Sequence, residues 1–394
     1  MKRIVVALLL MSSLLINPNQ AVAQDLLFPC EGGGSYSVMP SGLLFDGKNC
    51  KGRVSVSPIV RAIGTNAFQN SQITEILIPS SVTSINSGAF SGVKMESLVI
   101  PSSVTEIGSY AFAEAKFSSI TISNSVSEFG KRAFYRSTIN SIILPNSLQK
   151  IDDELFLEST FVSLLIPNSV TSIGNSAFKG TKLKSIVIPN SVTSIGDNAF
   201  LLSTLESVTF GNSLSRVGGG AFAGTQITSV VIPSSMETIP QLMFQRTPLK
   251  SVTIPTSVKS IADSAFRESK LASIYIPSSV KSIGGWAFAD MPNLRVVAIP
   301  DGILDISQAA FYNSYPTSIL YCGNLEITNY NVSLSFAVSC KSESEKASLV
   351  YAAQREFDQK LANPKTTITC VKGKLTKKVT AVKPKCPAGY KVKK

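Results

Sequence analysis

Leu183 to Thr204 reads LKSIVIPNSVTSIGDNAFLLST, and the same frame, L-x-x-I-x-I-P-x-S-V-x-x-I-G-x-x-A-F, recurs along most of the chain. Its most regular mark is phenylalanine. Phe68, Phe90, Phe112, Phe134, Phe156, Phe178, Phe200, Phe222, Phe244, Phe266 and Phe288 follow one another every 22 residues, and Phe311 comes after 23. The extra residue lies in Met291-Pro292-Asn293. One earlier unit is recognisable, because Val54 and Val56 stand 22 residues before Ile76 and Ile78. Self-similarity at such a period is the signature of stacked coils. They are expected from about Lys51 to Pro316, with a closing strand at Ile319 to Tyr321.

Each part of the frame has a physical reason. Ile186 and Ile188 make a period-two strand of three or four residues with β-branched side chains facing inward. The proline that follows, at Pro79, Pro101, Pro145, Pro167, Pro189, Pro233, Pro255, Pro277 and Pro300, has no N–H to donate and ends the strand. The serine before the valine, Ser81 through Ser279 in ten successive coils, is short enough to bond the turning backbone of its own or a neighbouring coil. I-G-x-x-A-F reads as a tight turn, a small residue and a ring that stacks on the ring one coil away. A lone coil buries too little to offset the ordering of its backbone, so stability comes from stacking. At ~4.8 Å per coil the stack is about 55–60 Å long, with one parallel sheet of short strands and a convex side of loops and turns. Its two ends need covers. The Cys30–Cys50 and Cys322–Cys340 segments are in the right places, Cys322 taking the slot of the strand-ending proline.

The repeated frame resembles the BspA-type bacterial leucine-rich repeats, over about two thirds of the chain. The resemblance implies a curved right-handed solenoid, a surface or extracellular location, and roles in adhesion or protein binding. Two coils depart from the pattern, with Ser123 and Gly211 in place of the proline.

Outside the repeats, Lys2 and Arg3, the apolar run Ile4 to Ile16 and Ala21-Val22-Ala23 have the form of a signal peptide cut after Ala23. No cysteine follows the cut to carry a lipid, and no later segment is apolar enough for a transmembrane helix. The chain thus divides into a signal peptide (1–23), an N-terminal cap (24–50), the solenoid of about twelve coils (51–321), a C-terminal cap with a helix (322–363) and a tail module (364–394). In an exported protein the six cysteines are expected to be oxidised. Fifteen pairings are possible. The local one, Cys30 with Cys50, Cys322 with Cys340 and Cys370 with Cys386, is favoured because each pair sits in its own segment outside the repeats. Ser342 to Ala362 reads as one helix, with Ser342 and Glu345 as a capping box and Val350, Ala353, Phe357 and Leu361 at helical spacing. The tail reads as a hairpin about Gly373.

The formal charge of +12 is unevenly placed. Residues 365–394 hold ten lysines and no acid, while residues 24–364 sum to about zero. Lys372, Lys374, Lys377, Lys378, Lys383 and Lys385 therefore form the candidate contact with anionic wall polymers or lipids, or a solubilising appendage. No specific nucleic-acid partner is expected of an exported chain.

Catalysis is disfavoured. The chain has no histidine and no Cys-x-x-Cys, which removes the Ser–His–Asp and Cys–His devices and most zinc sites, and no cofactor or metal is expected. A glycan-active carboxylate pair is the remaining enzymatic alternative. The one dense acidic cluster, Asp152-Asp153-Glu154, falls in a turn where neighbouring coils vary freely. The strand face is the more promising surface. Between the inward isoleucines one residue per coil points outward: Leu77, Val99, Thr121, Ile143, Leu165, Val187, Thr209, Val231, Thr253 and Tyr275. A serine ladder from Ser97 to Ser273 flanks it. An exposed aliphatic stripe with few charges suits a protein or glycan partner on a cell surface or matrix, although outward strand positions favour β-branched residues in any case. An ice-binding solenoid is a third class, from the aligned Thr83, Thr105, Thr171 and Thr193. Gln149, Glu237, Lys259 and Lys281 break that array.

Overall fold

The computed structural model describes residues 24–321, 337–338, 342–362, 366–372, 375–381 and 391–392, with side chains described in 24–321 and 342–355. The signal segment 1–23 and Cys322, Cys340 and Cys386 lie outside the described residues, and of Cys370 only the backbone is described.

The repeats wind into a parallel β-solenoid of about 13 turns with little helix. The I-x-I strands pair in parallel one repeat apart, as in Ser185↔Ser207, Ile186↔Val208 and Val187↔Thr209. The earliest coil is confirmed by the pairing of Lys51–Ser55 with Gln72–Leu77, which sets Val54 opposite Ile76. The I-x-I ladder is not continuous. It falls into separate sheets: four strands run from Lys94–Ile100 to Thr160–Phe161, which precedes the I-x-I position of its coil, and pairing resumes at Ser185–Val187, again at Ser229–Val231 and again at Ser273–Tyr275.

A second ladder accompanies the first. The two-residue segments Ser172–Ile173, Ser194–Ile195 and Arg216–Val217 also pair in parallel. Two residues show no period, so this ladder left no pattern in the sequence beyond its buried isoleucine. The convex turns form a third row, in which the N–H groups of Asn198, Phe200 and Leu202 donate to carbonyls of the next coil at 2.7–2.9 Å. Alternate donors face along the stack because two residues per turn adopt left-handed backbone, here Asn198 (φ 55°) and Leu202 (φ 57°). Among the described residues, eighteen non-glycine residues with positive φ all fall at these two positions of the coil. The glycine of I-G-x-x-A-F is not one of them. Gly196 has an ordinary φ; what forbids a side chain is the coil before it, since a Cβ there would meet the Asn175 amide N at 2.7 Å.

Inside the coils the phenylalanines from Phe68 to Phe288 are fully buried and Phe311 nearly so. Neighbouring rings lie 5.0–5.9 Å apart with planes 3–22° from parallel. Offset stacking at this separation adds to the burial each ring supplies. Serines behave less uniformly than expected. Ser125, Ser147, Ser169, Ser235 and Ser257 donate to a carbonyl of the preceding coil at 2.5–2.8 Å. The buried hydroxyls of Ser81, Ser103, Ser191 and Ser279 reach none.

The N-terminal segment forms three strands, Leu26–Pro29, Ser35–Val38 and Leu43–Asp46, paired antiparallel. The third then pairs in parallel with Ala62–Ile63, so this segment covers the end of the second ladder. A disulfide joins Cys30 to Cys50 with Cα atoms 5.5 Å apart. At the other end the closing strand is Ser318–Leu320, one residue earlier than expected, and Ala337–Val338 pairs beyond it. The helix runs Glu343–Ala362. Its capping box is formed: the Ser342 N–H donates to Glu345 Oε2 at 3.0 Å and the Glu345 N–H to Ser342 Oγ at 3.4 Å. In the tail Thr366–Lys372 and Leu375–Ala381 make the hairpin about Gly373, and Lys391–Val392 adds a third strand.

Candidate functional site

Pleating sends alternate side chains to opposite faces, so the isoleucines of I-x-I enter the core and the residue between them stands out. Leu77, Val99, Thr121, Ile143, Leu165, Val187, Thr209, Val231 and Thr253 are all exposed, the apolar ones from 47% at Leu77 to 78% at Leu165. Val162, which the strand register alone does not mark, is 75% exposed beside Leu165 in the coil where the strand ladder is interrupted. The serine ladder Ser97, Ser119, Ser141, Ser163, Ser185, Ser207, Ser229 and Ser251 borders the stripe on solvent.

Tyr275 breaks the series. It is half-buried, because the C-terminal helix lies on the sheet face rather than on the end of the stack. The Tyr275 hydroxyl donates to Glu343 Oε2 at 2.9 Å. Ser273, the last of the serine ladder, is buried and donates to the Val350 carbonyl at 2.9 Å and to Gln354 Oε1 at 3.4 Å. Val350 packs with Ala298 and Leu320, the outward residues of the last two coils, against Tyr275 and Val296. Lys346 is fully buried and ties the helix to the strand ends, donating to the Ile299 carbonyl at 3.2 Å, to Asp301 Oδ1 at 2.5 Å and to Glu343 Oε1 at 3.1 Å. Burial pushes the Tyr275 phenol up to about 12, with the Glu343 carboxylate adding to the shift by accepting its proton and by its charge. The seat was faintly legible in the sequence, since Ala272 and Ala298 stand where other coils carry larger or charged residues.

The alternatives find their side chains engaged in holding coils together. Asp152 Oδ2 accepts from the Phe129 N–H at 3.4 Å and Asp153 Oδ1 from the Asn175 N–H at 3.0 Å. Glu154 pairs with Arg132 and Lys131. The hydroxyls of Thr83, Thr105, Thr171 and Thr193 donate to carbonyls of the preceding coil at 3.1–3.5 Å. Among the described residues no group of three or more acidic or cysteine side chains is placed to hold a metal. Of the tail lysines, Lys372, Lys377 and Lys378 lie on the hairpin strands with side chains not described, and Lys374, Lys383 and Lys385 lie outside the described residues.

The profile of the BspA type leucine rich repeat region matches residues 61–179, 128–248 and 237–338. The chain belongs to the BspA-type leucine-rich repeat family. A leucine-rich repeat protein from Bacteroides ovatus has a similar fold at 22% identity, over 76% of this chain and 94% of that one, with a TM-score of 0.51. The pneumococcal vaccine antigen PcpA is similar at 16% identity, over 84% and 96%, with a TM-score of 0.47. A leucine rich cell surface protein from Faecalibacterium prausnitzii is similar at 21% identity, over 77% and 97%, with a TM-score of 0.37. No curated protein matches. Membership of the BspA-type family points to a protein-interaction scaffold at the cell surface or outside the cell. No helix among the described residues is long and apolar enough to cross a membrane.

Proposed function

We propose that this BspA-type chain is a secreted, non-catalytic adhesion scaffold whose sheet face contacts a partner on a cell surface or matrix and whose basic tail retains it near anionic wall polymers. The five parts from signal peptide to tail module would then divide the labour: export, two covers, a rigid binding face and an anchor. The observation that carries the reading is the run of exposed aliphatic and threonine side chains from Leu77 to Thr253, one per coil and all but Leu165 on strands. Soluble surfaces seldom keep so long an apolar stripe unless something covers it. A protein partner is favoured over a glycan, because the stripe is aliphatic and carries no aromatic platform until Tyr275.

The tail is supported by charge placement alone, ten lysines without an acid beyond a neutral body. Attachment through it must weaken with salt, because exposed charges are screened beyond ~8 Å at physiological ionic strength. The test compares the mature chain with a version ending at Pro364, binding each to cell-wall and host-matrix preparations at low and high salt. Wall retention should be salt-sensitive and confined to the full chain, and matrix binding should survive tail removal but fall on L165E with V187E. Equal wall retention by both versions removes the tail from the proposal. Glycan hydrolysis by either overturns the non-catalytic reading.

A further inference from the structure

We infer that the open part of the sheet face receives an amphipathic α-helix of a partner protein, laid antiparallel to the strands as the chain's own helix is laid over the last coils. The inference rests on the sheet-face reading above and names the partner's shape. One end of the face is seen occupied, and its serine and outward positions recur in the open part, where larger or charged residues stand at the places of Ala272 and Ala298.

The polarity of the occupied seat follows from its contacts. Glu343 meets Tyr275 at the end of its strand, Lys346 reaches Ile299 and Asp301 just past the next strand, and Val350 and Gln354 meet Ser273 where its strand begins. The helix therefore runs from strand end to strand start. Its covered residues, Glu343, Lys346, Ala347, Val350, Ala353 and Gln354, follow the three- and four-residue spacing of a single helical face. A helix about 10 Å across covers two or three strands spaced ~4.8 Å, which fits its contacts to the coils of Tyr275, Ala298 and Leu320.

The chemistry of that seat is a serine two residues before an outward residue, and it recurs. Ser273 gives its hydroxyl to a helix carbonyl, while the outward residues meet the apolar side chain of the helix. Ser163 with Leu165 and Ser185 with Val187 repeat the arrangement in adjacent coils, with both aliphatic residues and Val162 exposed. An extended partner strand would use unpaired backbone at a sheet edge; the serines offer side-chain donors from the face instead, and a helix answers them with carbonyls whose second lone pair is unused.

The test uses the full mature chain and a synthetic peptide of residues 342–362, held helical by a cross-link between the exposed positions Ser344 and Ser348 and carrying a photoreactive group in place of Val350. A control peptide with Ala347→Pro and Ala353→Pro cannot hold the helix. The helical peptide should label coils between Val99 and Thr253, the proline control about tenfold less. L165E with V187E should lower labelling about tenfold, as expected when two apolar side chains no longer pack against the helix. Because both residues are exposed, an unchanged melt shows that the double variant is folded. Equal labelling by both peptides overturns the helix while leaving the face as a binding surface. Label confined to residues 273–320, through displacement of the resident helix, or absent altogether, overturns the inference. The sheet-face reading then stands or falls separately on matrix binding by the same double variant.

Discussion

Ser273 Oγ donates to the Val350 carbonyl at 2.9 Å, a bond that spans 77 residues of chain and fastens the C-terminal helix across the sheet face. The serine comes from the same ladder that elsewhere stands in solvent, so the bond shows what that ladder is able to do. Beside it, Lys346 fills a fully buried position with two carboxylates and a carbonyl around its ammonium. A buried charge is tolerated when it is paired and hydrogen-bonded, and removing one partner leaves the rest uncompensated.

Lys346→Ala should therefore loosen the helix, costing the docked state about 1.5–3 kcal/mol through the lost charge-assisted hydrogen bonds, since the carboxylates left behind are part-exposed, while the coils keep their own melt. Hydrogen exchange reads this directly. Protection of residues 343–355 should be lost and that of the coil strands kept. Retained helix protection would mean that apolar contact at Val350 suffices.

Alkaline pH acts on the same joint. The Tyr275 phenol is held up to about 12 against an ordinary value of 10.0. A raised pKa favours the protonated form in the docked state, so its contribution is fully present below pH ~10 and is lost as pH rises through about 12. Docking should weaken over that window, and Tyr275→Phe should remove this part of the pH dependence. A difference titration of tyrosinate absorbance between the two proteins should show the group that Tyr275→Phe removes ionising at about 12. Ionisation of that group near pH 10 would place Tyr275 in solvent.

Phe178 tests the interior. Its ring lies 5.3 Å from that of Phe156 and 5.0 Å from that of Phe200. Phe178→Ala should destabilise by about 3–5 kcal/mol through the cavity it leaves, whereas Val187→Ala on the exposed face should stay within ~0.5 kcal/mol. Denaturant melts of both variants decide it, and equal effects would contradict the stacked core.

The coil frame was readable because its spacing holds at 22 residues from Phe68 to Phe288 and slips by one only at Phe311: the phenylalanines mark the core, and Ile186 and Ile188 mark the strand. The second ladder was not, because Ser194–Ile195 is too short to carry a period. Position of the helix was half readable. Ser342 and Glu345 announce its start, but periodicity cannot orient a helix whose covered face holds Lys346 and Gln354 beside Val350. Register places Tyr275 on the open stripe, and only the fold reveals that the stripe is covered there. The glycine of I-G-x-x-A-F looks like a turn residue, and its constraint proves to be the backbone of the adjacent coil.

Disulfide mapping tests the separateness of the ends. Cys30 and Cys50 close a loop of 20 residues, which contributes roughly 3 kcal/mol in the chain-entropy model. Non-reducing peptide mapping should find that bridge together with Cys322–Cys340 and Cys370–Cys386. A bridge from the N-terminal segment to the tail would show that the ends do not fold as independent units.

Backbone conformation in the convex turns gives the last expectation. Leu202 is 63% exposed yet holds a φ of 57°, a region that costs an L-residue about 1–2 kcal/mol. The coil above solves the same position with Gly224, at a φ of 66°. Glycine relieves that strain but gives up about 0.5–1 kcal/mol of chain entropy, so Leu202→Gly should be neutral or stabilise by up to ~1 kcal/mol. Gly196→Ala should do the opposite although its φ is ordinary, because the new Cβ would meet the Asn175 amide N at 2.7 Å and the Gly174 carbonyl carbon at 2.8 Å. Backbone cannot swing aside as a side-chain tip can, and overpacking of this kind costs about 1–3 kcal/mol. Asn86 and Asp152 occupy the equivalent place in their own coils, so the penalty belongs to the fit between neighbours rather than to the turn itself. Thermal melts of the two variants should move in opposite directions, or leave Leu202→Gly unmoved; destabilisation by Leu202→Gly would mean that its side chain contributes more than its backbone costs.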